Sequence, residues 1–91
     1  MEITDIKMRI VSHTDQLRAF ATVAFDGELI VHNIKVIAME DRLMIAMPSR
    51  QIPTGEFKDI VHPANSAFRE KITKRVLEEY KKSVEKEKSL Q

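Results

Sequence analysis

One short segment of the chain holds a cation on a backbone that is already restricted. Arg50 lies between Pro48 and Pro53, and each proline fixes its own φ angle. Such a segment has little conformational entropy to lose on binding, so it can present a guanidinium to an anion at low cost. Gly55 then permits a turn. This pattern indicates a phosphate contact through Arg50.

The same segment has a purely structural interpretation. In that interpretation Glu56, Asp59 and Asn65 tie the loop down and cap the helix that follows, while Arg50 is merely solvated. The residues alone give the two interpretations about equal weight.

Catalytic or metal chemistry would need histidines and acids held at a fixed spacing. His13 falls in a predicted turn, His32 on a strand that turns it to the core, and His62 directly before a proline. For His32 a hydrogen-bonded structural role is the more common case. The chain has no cysteine and only two glycines, so it lacks a thiolate metal site and a Gly-rich phosphate loop. We predict no catalytic residue, metal site, cofactor or small-molecule substrate.

A second basic group is predicted on the outer face of a β-sheet, and it consists of Lys7, Arg9, Arg18 and Lys35. The predicted register sets Arg18 opposite Lys35, and like charges that face each other favour a bound anion. Basic residues on an exposed face also simply keep a sheet soluble, which is the more common case. Phe20 alone is an exposed aromatic candidate, so we expect phosphate contacts rather than base stacking.

A third basic group lies near the start of a predicted helix and consists of Lys71, Lys74 and Arg75. Glutamates are interleaved with it, and pairs such as Glu70 with Lys74 fit ion pairs between residues i and i+4. A solvated helix face is therefore the more common interpretation of this group.

Composition limits the class of protein. Fifteen Lys and Arg against fourteen Asp and Glu give a net charge of +1, so a polyanion would have to be bound by local clustering. No apolar run approaches the length of a membrane span, and the N-terminus lacks the pattern of a secretory signal. We expect a cytoplasmic protein without membrane insertion, with one domain over residues 1–84 and a frayed, charged tail over residues 85–91.

An α+β fold must position these side chains: a small antiparallel sheet of about four to five strands, then a C-terminal helix. Alternation of apolar and polar residues predicts strands over 3–11, 17–25, 28–37 and 43–47. Asp26 and Gly27 suit a two-residue type I′ turn, which sets Phe25 opposite Glu28. Pro48 ends the fourth strand, residues 48–55 form an irregular loop, and residues 57–61 are predicted to pair at an edge.

The helix shows apolar residues every four positions from Phe68 to Val84, and Asn65 or Ser66 is expected to cap it. Arg69 falls within this apolar stripe, so we expect it to meet Glu56 or Asp59. The residues predicted to have structural roles are Asp26, Gly27, His32, Pro48, Glu56, Asp59, Asn65, Ser66 and Arg69.

Residues 46–66 fit the pattern A-M-P-S-[KR]-x-x-P-x-G-E-F-x-D-I-x-H-P-x-N-S. In this the chain resembles the SpoVG family, the stage V sporulation protein G and septation-regulator proteins of bacteria. The resemblance covers most of the chain, from Ile3 through the hairpin to Tyr80 in the helix. It implies a homodimer that binds DNA and RNA and regulates gene expression, in connection with septation and sporulation.

In that family two adjacent basic residues after Pro-Ser are implicated in nucleic-acid contact, and here they fall on Arg50 and Gln51, of which the second is uncharged. We therefore predict a dimeric nucleic-acid-binding regulator in which Arg50 is the main phosphate contact. The further candidates for nucleic-acid contact are Gln51, Lys58, Lys71, Lys74 and Arg75. The dimer would cover a free sheet edge and the outward residues Ala24, Leu29 and Val31. The alternative is a protein-interaction adaptor in septation that binds no nucleic acid.

Overall fold

The computed structural model describes the backbone of residues 1–89 and the side chains of residues 1–87. Four strands form one antiparallel sheet in the order β1-β2-β3-β4. They are β1 (Ile3–Ile10), β2 (Leu17–Phe25), β3 (Leu29–Met39) and β4 (Arg42–Ala46). The strands β5 (Ser49–Gln51) and β6 (Phe57–Asp59) pair only with each other, and the helix α1 (Ser66–Ser89) follows. The predicted α+β class, an antiparallel sheet with a C-terminal helix, is confirmed.

The core lies between one face of the sheet and α1. Alternate residues of β2 are buried, and Ala19 and Ala21 are completely buried. Their small side chains let the helix pack close to the sheet. The helix in turn buries Ile72, Val76 and Tyr80 at the predicted spacing of four residues. The rings of Phe25 and Phe68 meet with their centroids 5.6 Å apart. The helix is thereby fixed to the sheet along a single apolar stripe.

Asn65 begins the helix. Its Oδ1 accepts a hydrogen bond of 2.8 Å from the Phe68 amide, which places Asn65 at the cap and Ser66 at the first helical position. At the other end α1 continues to Ser89, past Val84, where the sequence predicts fraying. Leu90 and Gln91 lie outside the described residues.

The hairpin between β2 and β3 has the predicted turn but not the predicted register. Asp26 and Gly27 adopt positive φ angles of 55° and 65°, and the Glu28 amide donates to the Phe25 carbonyl at 3.0 Å. Phe25 nevertheless pairs with Leu29 rather than with Glu28. This slip of one residue turns every following side chain of β3 to the opposite face of the sheet, until a second irregularity in the register restores the predicted face.

A β-bulge makes that correction at Asn33. Val23 pairs with Val31 and Ala21 pairs with Ile34, so two steps on β2 match three on β3, and Asn33 takes a positive φ of 62°. Val31 and Ile34 are therefore both buried, and His32 is exposed. The predictions that His32 faces the core and that Val31 lies on the outer face are wrong, because the one-residue slip at the turn reverses the alternation of β3 as far as the bulge.

The segment after β4 also differs from the prediction. Residues 49–51 are a strand rather than irregular loop, and their partner is β6: Ser49 pairs with Asp59, Arg50 with Lys58 and Gln51 with Phe57. The strand predicted over 57–61 thus ends at Asp59 and does not join the edge of the larger sheet. Pro48, at the foot of this ribbon, accepts a hydrogen bond of 2.7 Å from the Ile60 amide. We call β5, β6 and the turn between them the β5–β6 ribbon.

Candidate nucleic-acid interface

Backbone contacts give the β5–β6 ribbon its shape. The Ile52 amide donates to the Glu56 carbonyl at 2.8 Å, and the Gly55 amide donates to the Ile52 carbonyl at 2.9 Å. Gly55 has a φ of 92°, a conformation that residues with a Cβ rarely adopt. All residues of both strands are exposed, so the ribbon holds its shape without a core of its own.

Arg50 and Lys58 face each other across the ribbon. They are direct partners in the antiparallel register, which places their side chains on the same face. Among the described residues, no carboxylate lies within 4.0 Å of either cation. Two like charges held together without an acid repel each other, and an anion between them would relieve that repulsion. The ribbon therefore presents two adjacent cations on one exposed face.

Gln51 has a different role from its neighbour Arg50. Strand alternation turns it to the opposite face of the ribbon, and its Nε2 donates to the Gly55 carbonyl at 3.1 Å. The amide side chain thus supports the turn, and the structure does not bring it together with Arg50. A second cation does stand beside Arg50, but it is Lys58, from the other strand.

The predicted ion pair of Arg69 is absent. Arg69 is exposed, and among the described residues its guanidinium has no carboxylate within 4.0 Å. Glu56 and Asp59 contribute through their backbones, as the acceptor from Ile52 and as the partner of Ser49. The prediction was wrong because a long side chain, even one near the middle of an apolar stripe, can extend its charged end into solvent.

Ion pairs within the chain engage two members of the helix cluster. Lys71 Nζ lies 3.0 Å from the Met1 carbonyl and 3.3 Å from Glu2 Oε1, and Arg75 Nη1 lies 3.5 Å from Glu78 Oε2. Lys74 is exposed and makes no ion pair with any residue whose side chain is described, Glu70 included. Lys74 is therefore the member of this cluster most available for a ligand.

The outer face of the four-stranded sheet carries three of the four predicted cations. Arg9, Phe20, Lys35 and Ala46 are successive partners across the four strands, and Lys7 pairs with Thr22 in an adjacent row. The guanidinium carbon of Arg9 lies 5.2 Å from the centroid of the Phe20 ring.

Arg18 is half-buried and donates from Nη1 to the His13 carbonyl at 2.6 Å. The predicted pairing of Arg18 with Lys35 is wrong, because the slip at the turn and the extra residue at Asn33 together shift the register by two and bring Phe20 opposite Lys35.

The histidines are scattered. His13 Nε2 lies 3.1 Å from Glu87 Oε2, and His62 Nδ1 lies 3.1 Å from the Pro63 carbonyl. The part of the chain that the structure describes contains no group of three His, Cys, Asp or Glu residues placed to hold a metal ion. Nor does any described helix have the length and apolar character needed to cross a membrane.

An apolar cleft of about 460 Å³ opens between the end of the β2–β3 hairpin and the start of the helix. Leu29, Val61 and Phe68 are among the residues that line it. Leu29 and its neighbour Ile30 are 47% and 57% exposed. This end of the molecule therefore presents apolar surface beside the helix cap.

The sequence contains one signal for the pairing of Arg50 with Lys58. Three residues on each side of a five-residue stretch with Pro53 and Gly55 is the spacing of a short hairpin. For the outer face, the signal was the alternation of β1 and β2, which turns Arg9 and Phe20 to the same side.

Comparison with known proteins agrees with the sequence pattern. The SpoVG family model matches residues 1–82. A protein of Clostridium novyi is 52% identical over 80 residues, which is 88% of this chain and 80% of that protein. A protein of Caldanaerobacter subterraneus is 51% identical over 85 residues, 93% of each chain. Both relatives carry names that include the words septation protein SpoVG. The chain belongs to the SpoVG family.

Proposed function

We propose that this protein is a nucleic-acid-binding regulator, linked to septation and sporulation control, that holds DNA and RNA through phosphate contacts in the cytoplasm. The observation that carries the proposal is the exposed pair of Arg50 and Lys58, which face each other without an acid among the described residues. Phosphate contacts supply much of the affinity of such complexes and position the protein without reading sequence.

The shape of the β5–β6 ribbon also suits this role. A two-stranded ribbon is narrow enough to enter the major groove of DNA. Arg50 and Lys58 share one face of it, so one phosphate can bind between them, or two can bind side by side. Lys74 is a further exposed cation that would extend the contact. Gln51 supports the turn and would act by holding Arg50 in place.

A homodimer would compensate for the small charge of one copy. With a net charge of +1, a single ribbon offers few contacts, and two linked ribbons would gain affinity through effective concentration. Leu29 and Val61 line the apolar cleft and are 47% and 39% exposed. Together with the neighbouring exposed Ile60, they form the surface that we propose a second copy covers. Val31 is not part of that surface, because it belongs to the core.

Replacing Arg50 tests the assignment directly. Arg50→Ala should weaken binding to duplex DNA and to RNA of any sequence, and the slope of log affinity against log salt should fall by about one unit. Lys82→Ala, which removes one charge from an exposed position of the helix, should leave both nearly unchanged. Fluorescence anisotropy at stepped salt concentrations measures these quantities. Equal affinity of Arg50→Ala and the parent protein would refute the ribbon as the contact.

A protein-interaction adaptor is the second candidate. It is favoured by the apolar residues of the same region, since Phe57 is 70% exposed and Ile60 is 62% exposed. Surfaces of this kind often mark protein contacts. The salt titration separates the two candidates: a complex held by phosphates weakens steeply as salt rises, and a complex held by apolar contacts does not.

A further inference from the structure

We propose that the outer face of the four-stranded sheet is a second ligand site, which binds single-stranded nucleic acid by stacking a base on Phe20. This goes beyond the phosphate contacts of the ribbon and does not depend on them. The helix covers the opposite face, and the row Arg9, Phe20, Lys35, Ala46 crosses the middle of this one.

The position of Phe20 fits a stacking platform. It lies on β2, an inner strand that is paired with β1 on one side and β3 on the other, so the ring stands on a rigid support. The ring is half-buried rather than enclosed. The guanidinium carbon of Arg9 lies over the ring, 5.2 Å from its centroid, in a cation–π contact, so a base would stack on this guanidinium or displace it from the ring. Phenylalanine rings and guanidinium planes are both surfaces on which unpaired bases stack.

The cations around Phe20 are placed to contact the phosphates of the same nucleic-acid strand. Arg9 and Lys35 are its partners on the two neighbouring strands, so they stand on either side of the ring, about 10 Å apart at the backbone. Lys7 adds a third cation one row away, opposite the small residue Thr22. Ala46 closes the row beyond Lys35 with a methyl group, which leaves space above it. A strand that stacks one base on Phe20 can thus place phosphates on both sides.

Charge favours this ligand over a second copy of the chain. Two such faces packed against each other would bring Lys7, Arg9 and Lys35 close to the same three cations, which is repulsive. Asp5 is the acid that β1 turns to this face, and it pairs with Ala24, away from the Phe20 row. Duplex nucleic acid is also disfavoured, because its bases are already stacked within the helix and cannot lie on the ring.

The experiment compares a short oligothymidine with an abasic oligonucleotide of equal length, which keeps the phosphates and lacks the bases. Phe20→Leu preserves apolar bulk and removes the flat ring, so we expect it to bind oligothymidine about five- to tenfold more weakly. Its affinity for the abasic strand should equal that of the parent protein. Phe20→Trp should restore the affinity for oligothymidine. Lys35→Gln should weaken binding of both ligands, because it removes a phosphate contact.

Equal binding of oligothymidine by Phe20→Leu and the parent would overturn the proposal, as would equal affinity of the parent for the two strands. A changed molecular mass of Phe20→Leu in light scattering would also overturn it, since the face would then join two copies. Thermal unfolding of each variant checks that the fold is retained. Failure here is distinguishable from failure of the ribbon proposal, because Arg50→Ala is scored on duplex DNA, which the Phe20 site does not bind.

Discussion

The sheet and its helix differ from the β5–β6 ribbon in how they are held together. In the sheet and helix, apolar residues such as Ile34, Val36 and Val76 are completely buried. In the ribbon every strand residue is exposed, and its largest side chain, Phe57, faces solvent. The first part is stabilised by burial of apolar surface, whereas the second relies on backbone hydrogen bonds and on residues that restrict the chain.

This difference indicates what each part is for. A segment of eleven positions, 49–59, that buries none of its strand residues adds little to the stability of the fold. It keeps a defined shape all the same, because Gly55 makes the turn and prolines restrict the backbone at 48 and 53. A defined shape without a core leaves most of its side chains exposed to solvent, Arg50 and Lys58 among them.

Hydrogen exchange should show the contrast most strongly. The amides of Ala21 and Val23, in the middle of the sheet, should exchange only on global unfolding. The amides that pair β5 with β6 should exchange by local opening, about a thousandfold faster or more, because few contacts oppose it. Native-state exchange followed by NMR measures both sets in one sample. Equal protection of the two sets would show that the ribbon is part of the cooperative core.

Truncation of one apolar side chain in each part should give very different losses of stability. Ile72 is 2% exposed and Phe57 is 70% exposed. Ile72→Ala should lower the free energy of unfolding by about 2–5 kcal/mol, because it leaves a cavity in the core. Phe57→Ala should change it by less than about 0.5 kcal/mol. Urea denaturation gives both values, and a large loss for Phe57→Ala would mean that the ribbon is buried in an assembly.

The sequence predicted the sheet and helix well wherever one alternation continued without interruption. The strands β1 and β2 and the four-residue spacing of the helix follow directly from the order of apolar residues. The prediction failed between the turn and Asn33, because the slip at the turn reverses the alternation until the bulge at Asn33 restores it, and His32 then faces solvent. A polar residue that tolerates positive φ was visible there, but whether the chain bulges depends on how the neighbouring strands pair.

The ribbon was harder to predict, because it has no apolar alternation to mark its strands. Arg50 could be singled out from its prolines, but its partner Lys58 was not predicted to stand opposite, since residues 48–55 were expected to be irregular. The pairing depends on backbone bonds such as that from Ile52 to Glu56, which leave no mark in the pattern of side chains.

Asn65 lies where the two parts join, and its replacement tests whether they are independent. Asn65→Ala removes the acceptor for the Phe68 amide and should destabilise the fold by about 1 kcal/mol. Binding through Arg50 and Lys58 should be unchanged once the fraction of folded protein is accounted for. Thermal unfolding and anisotropy on the same variant provide the two measurements. A loss of affinity in the folded protein would show that the helix cap also positions the ribbon.

The smallest expected effect concerns the ribbon alone. Lys58→Gln removes the repulsion between Lys58 and Arg50, so it should stabilise the pairing of β5 with β6 by a few tenths of a kcal/mol, roughly. Amide exchange in the ribbon should slow slightly, while affinity for duplex DNA falls because a phosphate contact is lost. Raising the salt concentration to about 1 M shortens the screening length to about 3 Å and should remove the difference in exchange. If Lys58→Gln is more ordered and yet binds duplex DNA more weakly, the two opposed cations contribute to ligand binding and destabilise the fold. The buried residues of the sheet do the reverse, because they stabilise the fold and contact no ligand.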